Sequence, residues 1–226
     1  MKKQNNIFNY SAGEFAFGYE GCKKCYYDKK VNNIVLKTSF PGTFSKFDRE
    51  HKKYYNNKSS KIISSSLDEG VIISNYNKKL SSKVLHDNKD RPFTLGGYID
   101  GYIKHKNSYT VVDFKTTTIS DNQPIIYKPQ LQSYAMIMEN PSEGSLKLNP
   151  IKNLGILCFE PSNITKVNKS DCEVKMSTKW YDIEKNDEEL ISYITKVQDV
   201  LYEDKSPPSS ENCNICKFKK EIKNEQ

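Results

Sequence analysis

Arginine is nearly missing from this chain: of its 35 basic residues only Arg49 and Arg91 are not lysine. Apolar residues are scarce too, at 36%. No stretch approaches the roughly 18 consecutive apolar residues of a membrane-crossing helix, which excludes a helical span. The opening run MKKQNNIFNYSAGEF carries positive charge but no apolar segment of the export-signal kind, so the expected location is cytoplasmic, with no membrane partner. No internal repeat is visible, which excludes solenoids and propellers. What the chain does have is aromatic: 12% of residues, 15 of them tyrosine, enough for one core with many tyrosine-capped edges. Its 226 residues suit one domain with an appendage, or two small ones. The net charge of +7 suits a polyanionic partner, because lysines displace counterions from phosphates. An AT-rich genome writes the same lysine, asparagine and isoleucine bias into any protein, so charge alone does not identify that partner.

The stretch GYIDGYIKHKNSYTVVDFKTT, from Gly97 to Thr117, organises the rest. His105-Lys106-Asn107-Ser108 is a turn signal between two apolar, aromatic runs, which predicts a β-hairpin with its first strand over Phe93–Lys104. On the second run Val111, Asp113 and Lys115 share one face, and Val112 and Phe114 take the other. A carboxylate and an amine thus stand where a strand packed on both sides should be apolar. Asp100 can reach the same corner from the neighbouring run. Two carboxylates and a lysine at one end of a sheet form a minimal site for a hard divalent cation and a water. Glycines 96, 97 and 101 bracket Asp100 and suggest a bulge or a close backbone approach, to a substrate phosphate or to plain packing.

Elsewhere the elements read more conventionally. Pro41-Gly42 breaks the chain before a helix whose Phe44, Phe47, His51 and Tyr54 or Tyr55 recur at helical spacing. Asp48 and His51 can point off the same side of it. Residues 57–93 read as polar loops or short helices around one short strand near Val71. A helix follows from about Tyr127 to Glu139 with Pro129 in its first turn, and places Gln130 and Tyr134 on one face. Leu154–Glu160 and Val174–Glu184 read as strands, and Asn186 caps a helix running to about Tyr202. Cys22 and Cys25 are spaced CxxC near one end, and Cys213 and Cys216 repeat that spacing near the other. In a reduced compartment two such pairs read as a metal site before they read as disulfides. Four thiolates suit either Zn²⁺ or a [4Fe–4S] cluster. Cys158 reads as a small core residue.

The pattern Gly97-x-x-Asp100-Gly101, then Asp113-x-Lys115, then Gln130-Leu131-x-x-Tyr134 resembles the PD-(D/E)XK nuclease superfamily, and within it the RecB-like exonucleases that include CRISPR-adaptation nucleases. The resemblance covers the hairpin and the following helix well; the paired cysteines extend it weakly over most of the chain. It implies an α/β fold, a restriction-endonuclease-like core with a mixed central β-sheet flanked by helices. That core would span about residues 40–203, and a four-cysteine metal site would join the ends 1–39 and 204–226. It also implies roles. Asp100, Asp113 and the Phe114 carbonyl would hold Mg²⁺ or Mn²⁺, with a further ligand from the helix after Pro41, Asp48 before His51 or Glu50. Lys115 would orient or deprotonate the attacking water, and Gln130 and Tyr134 would line the DNA cleft. The family's iron–sulfur members place one cysteine before the core and three after it. The resemblance favours a [4Fe–4S] cluster, but this chain has two and two, with Ile222 near the place of a last cysteine, so zinc stays as the alternative.

The expected activity is metal-dependent hydrolysis of phosphodiester bonds in DNA, by an exonuclease acting in repair or recombination. There is no helicase motif, so an unwinding partner would be a separate chain. The alternatives are a structure-specific or restriction-type endonuclease, a catalytically silent nucleic-acid binder of the same fold, and a structural zinc protein with a chance DxK.

Overall fold

The computed structural model describes residues 7–35 and 41–224. Residues 1–6 of the opening run read for an export signal, and Phe40, where the core was expected to begin, lie outside them. In chain order the elements are β1 (Phe8–Ser11), α1 (Glu14–Gly21), α2 (Lys23–Lys30), α3 (Gly42–Tyr55), β2 (Val71–Ile73), β3 (Leu80–Ser81), β4 (Leu85–His86), β5 (Pro92–Gly97), β6 (Gly101–Lys104), β7 (Tyr109–Thr116), α4 (Gln123–Glu139), β8 (Ile151–Val167), β9 (Cys172–Ile183), α5 (Asp187–Tyr202) and α6 (Asn214–Asn224).

The larger sheet has the order β2-β6-β7-β8-β9, and its one parallel pair, β7 with β8, is joined by α4. An antiparallel pair needs only a tight turn, whereas a parallel pair needs a crossover, usually a helix. Both faces of this sheet are covered. Val111, Ile156 and Cys158 lie in the main apolar cluster with Leu131 and Tyr134 of α4, Leu190 and Ile194 of α5, and Tyr10 and Phe15 of the first strand and helix. Val112, Phe114, Leu157 and Phe159 point the other way, onto Tyr55 of α3, Ile72 and Leu67.

The expected hairpin is present: β6 and β7 pair antiparallel with Gly101 opposite Val112. Its first strand is not one strand. Phe93–Lys104 breaks at Tyr98-Ile99-Asp100, so that β5 belongs to a second, smaller sheet with β1, β3 and β4, and β6 to the larger one. Gly97 and Gly101 flank the break, and both are closely packed. A Cβ on Gly97 would stand 2.9 Å from the Tyr134 ring, and one on Gly101 would stand 3.0 Å from the Ile73 carbonyl. Close packing, not a substrate phosphate, accounts for both. Residues 57–93 hold three short strands rather than one. The helix expected from Tyr127 begins at Gln123, with Pro124 rather than Pro129 in its first turn. The Asn186 cap is as read: its Oδ1 accepts from the Glu189 amide at 3.0 Å. Two helices flank the first CxxC where the sequence suggested only a polar, aromatic lead-in.

The turn between β4 and β5 is tied to α5 by one buried carboxylate. Asp87 Oδ1 accepts from the Lys89 and Arg91 amides, both at 2.9 Å. Its Oδ2 accepts from Arg91 Nε at 2.8 Å and Nη2 at 2.6 Å, and the same Nη2 donates to the Thr195 carbonyl at 3.0 Å. Burial alone would raise the Asp87 carboxyl, but the Arg91 hydrogen bonds outweigh it and hold the carboxyl below its ordinary 3.8. Its stabilisation is therefore complete above pH 3.8 and is lost as pH falls through the depressed value. Asp87→Ala is expected to destabilise the fold by about 3 kcal/mol at neutral pH, because it leaves the guanidinium half-buried without its main partner. Urea melts at pH 7 and pH 3 check this: the gap between variant and wild type should shrink at the lower pH.

Candidate active site

β7 carries its polar residues into the middle of the molecule. Asp113 is 1% exposed, between Val112 and Phe114 in a strand covered on both faces. Its Oδ2 meets the Lys115 ammonium two residues along the same face. Asp100, at the break between the two sheets, is held by a hydrogen bond from the Phe114 amide to its Oδ2 at 2.9 Å. The strand that carries one carboxylate thus positions the other. Burial, followed by the neighbouring Asp100, pushes the Asp113 carboxyl up to about 7 although Lys115 pulls against the rise. For Lys115 the balance falls the other way: burial would lower its pKa, but Asp113 and Asp100 more than reverse that and keep it protonated. The ammonium also stands 4.9 Å from the Tyr127 ring centre on α4.

Sequence reasoning did not anticipate Lys52. Its ammonium bridges Asp48 Oδ2 at 3.0 Å and Asp100 Oδ1 at 2.7 Å, so α3 is clamped to the acidic corner by a cation. Lys52 follows Asp48 by four residues, the i,i+4 ion-pair spacing, and that was the available signal. His51 stacks on Phe159, rings 3.7 Å apart and 13° from parallel, and burial lowers its pKa. Tyr55 is the buried member of the face expected on α3, whereas Phe44 and Tyr54 are exposed. Gln130 and Tyr134 are both buried, and Gln130 Nε2 donates to the Tyr134 hydroxyl at 3.2 Å. Burial, then Asp113, raises the phenol, which keeps its proton and can donate toward the corner. Asp48, His51, Asp100, Phe114, Lys115 and Gln130 all line one cleft of about 460 Å³, with Phe17 and Phe44 also on its walls.

The corner suits a hard cation by its chemistry. Its donors are carboxylate oxygens, and two ammonium groups already stand on them as cationic stand-ins. Asp48, Asp100, Asp113 and His51 do not close on one point. Among the described residues the one group of three or more ligating side chains whose donor atoms all lie within 4.8 Å of one another is Cys22, Cys25, Cys213 and Cys216.

Each CxxC sits at the start of a helix, with Cys22 and Cys213 just before α2 and α6 and their partners one turn in. Helix N-termini favour thiolates. Burial alone would raise the Cys22 thiol, but backbone hydrogen bonds at Ser210 and Cys25 bring it down to about 7. The sulfurs stand 3.8 Å apart for Cys22–Cys216, 3.7 Å for Cys25–Cys213 and 3.4 Å for Cys25–Cys216. This quartet joins residues nearly the whole chain apart. Cys158 is fully buried in β8 and takes no part.

The sequence profile of the PD-(D/E)XK nuclease superfamily matches residues 18–220. No curated protein matches significantly. Among solved structures, one titled "Crystal structure of SSO0001" is similar at 11% identity, covering 88% of this chain and 78% of that one, with a TM-score of 0.49.

Proposed function

Because this chain belongs to the PD-(D/E)XK nuclease superfamily, and so is a metal-dependent nuclease, we propose that it is a deoxyribonuclease working from DNA ends, with a zinc-stapled fold. The observation that carries the assignment of the site is Asp113: a fully buried carboxylate, paired with Lys115 and beside Asp100, both of which line the open cleft in front of it.

Asp100, Asp113 and the Phe114 carbonyl would hold Mg²⁺ or Mn²⁺, and Asp48 would add a carboxylate once Lys52 lets go. A bound divalent ion there polarises a phosphoryl oxygen and acidifies a water. The rest of the chemistry belongs to the chain. Lys115, protonated in this environment, fixes the attacking water and offsets charge growing on phosphorus rather than taking a proton. Tyr134 and Gln130 stand behind the corner as donors, with Tyr134 wedged against Gly97. Gln130 and Tyr134 on the helix after β7 support the RecB-like exonuclease reading, and with it a repair or recombination setting and a separate unwinding partner. His51, stacked on Phe159, is proposed to shape the cleft wall rather than to ligate.

For the cysteines, spacing favours one ion over a cluster. Four thiolates about 2.3 Å from a tetrahedral zinc lie about 3.8 Å apart along each edge. A four-iron cluster would hold them roughly 6 Å apart. The three separations, 3.4 to 3.8 Å, fit zinc.

The test is an end-labelled linear duplex and a covalently closed circle of the same DNA, each incubated with Mg²⁺ or Mn²⁺. The linear molecule should shorten progressively while the circle survives. Cleavage of the circle would favour the endonuclease alternative, and no cleavage of either would sink the catalytic reading.

A further inference from the structure

The helix that offers Asp48 to the acidic corner has a second working face. Arg49, Lys52, Lys53 and Asn56 recur at i, i+3, i+4 and i+7 of α3 and so form one stripe. With Asn75 and Asn77 from the segment after β2 they line a groove of about 380 Å³ on the face of α3 that adjoins the cleft side. Its walls are pinned together: the Ser74 hydroxyl donates to the Lys52 carbonyl at 2.6 Å, and the Ser74 amide donates to Asn56 Oδ1 at 3.0 Å. No acid lines the groove. Among the described residues Arg49 and Lys53 form no ion pair, unlike Lys52, Lys115 and Arg91. The chain has only two arginines. Arg91 is spent on the buried Asp87, and Arg49 stands exposed here.

The two concave surfaces meet at one residue. Lys52 lines the groove while its ammonium lies 2.7 Å from Asp100, which lines the cleft. A strand leaving the acidic corner past Lys52 would therefore run directly into a channel of unpaired cations and carboxamides. Guanidinium and ammonium groups suit phosphates, and amides suit phosphate and sugar oxygens. We propose that this groove binds the sugar–phosphate backbone of the nucleic-acid substrate next to the scissile bond, with Arg49 and Lys53 each neutralising one phosphate and Asn56, Asn75 and Asn77 fixing its path. The proposal rests on the nuclease reading for the identity of the occupant and adds the track by which that occupant leaves the site.

The test compares wild type with an Arg49→Gln/Lys53→Gln double variant. Both side chains are exposed, so the fold should melt at the same temperature. Binding of a fluorescein-labelled DNA oligonucleotide is followed by anisotropy in EDTA over a series of KCl concentrations. The variant should bind at least about tenfold more weakly near 0.1 M salt, and its log K against log salt should be shallower by about 1.4 to 1.8, the change expected for two lost phosphate contacts. Hydrolysis of bis(p-nitrophenyl) phosphate in Mn²⁺, a substrate too small to leave the cleft, should be unchanged. Equal affinity and equal slope would overturn the groove. So would a parallel loss on the small substrate, which would put the two residues in the catalytic cleft instead. A wild type that binds DNA with the predicted salt slope but never cuts it would refute the nuclease reading and leave the groove standing.

Discussion

Asp113→Asn is expected to lower metal-dependent DNA cleavage at least about a thousandfold, or about 4 kcal/mol of transition-state stabilisation. Asparagine keeps the shape of the side chain but removes the charge that would hold the ion. The same variant has a second signature that needs no substrate. The Asp113 carboxyl is pushed up to about 7 by burial, against an ordinary 3.8. A carboxyl raised in the fold contributes stability that is fully present below pH 3.8 and is lost as pH rises through about 7. In EDTA the wild type should therefore lose stability between pH 5 and pH 8, and Mg²⁺ at pH 8 should restore part of it. Asp113→Asn, which carries no titrating group there, should show a flatter profile and little response to Mg²⁺. Thermal melts at the two pH values, with and without Mg²⁺, check this beside the cleavage assay. A variant that cleaves at the wild-type rate, or a wild type whose stability is level across that range, would remove Asp113 from the centre of the site.

Cys216→Ser is expected to have the largest effect on stability. Cys22 and Cys216 are 194 residues apart in sequence, and a shared ion closes nearly the whole chain into a loop. Loop-closure entropy on that scale is worth on the order of 5 kcal/mol by analogy with a disulfide. For a domain of this size that corresponds to roughly 10–20 °C in melting temperature. Purified wild type should carry one zinc per chain and no visible absorbance, and a strong chelator should reproduce the variant's melting temperature. Iron and sulfide with a brown colour would instead establish the cluster. Wild-type stability in the metal-free variant would mean that the quartet staples nothing. Cys158→Ala serves as a contrast: it trims a small packed side chain and should leave zinc content unchanged.

Parts of this molecule were legible residue by residue. Alternation along Val111–Lys115 predicted which side chains share a face, because a strand's period of two is a local property. The turn at His105–Ser108 set the hairpin, so Asp100 and Asp113 could be brought to one corner before any tertiary packing was known. The Asn186 cap and the apolar stripe after it marked α5 for the same local reason. The two CxxC pairs announced that the ends of the chain would meet, because thiols repeated at that spacing are the donor pattern of a four-cysteine site, and the four do cluster.

What escaped the sequence was decided by neighbours distant along it. The Tyr134 ring leaves no room for a side chain at Gly97, beside the point where Phe93–Lys104 passes from one sheet to the other, and no local pattern records a ring 37 residues away. Lys52 belonged to a charge run until α3 packed against β7 and brought its ammonium to Asp100. Arg49 and Lys53 share a helix stripe by local spacing, but only tertiary packing sets Asn75 and Asn77 beside them to form a groove. The choice between zinc and iron–sulfur turns on ångström separations between sulfurs, which depend on how the two ends of the chain dock. Periodicity and turn residues by themselves settled the hairpin, and the motif pattern shared with the nuclease superfamily pointed to the class of fold and the kind of chemistry. Only the packed structure decided which charges meet, because ion pairs and grooves arise from long-range contacts that local periodicity does not encode.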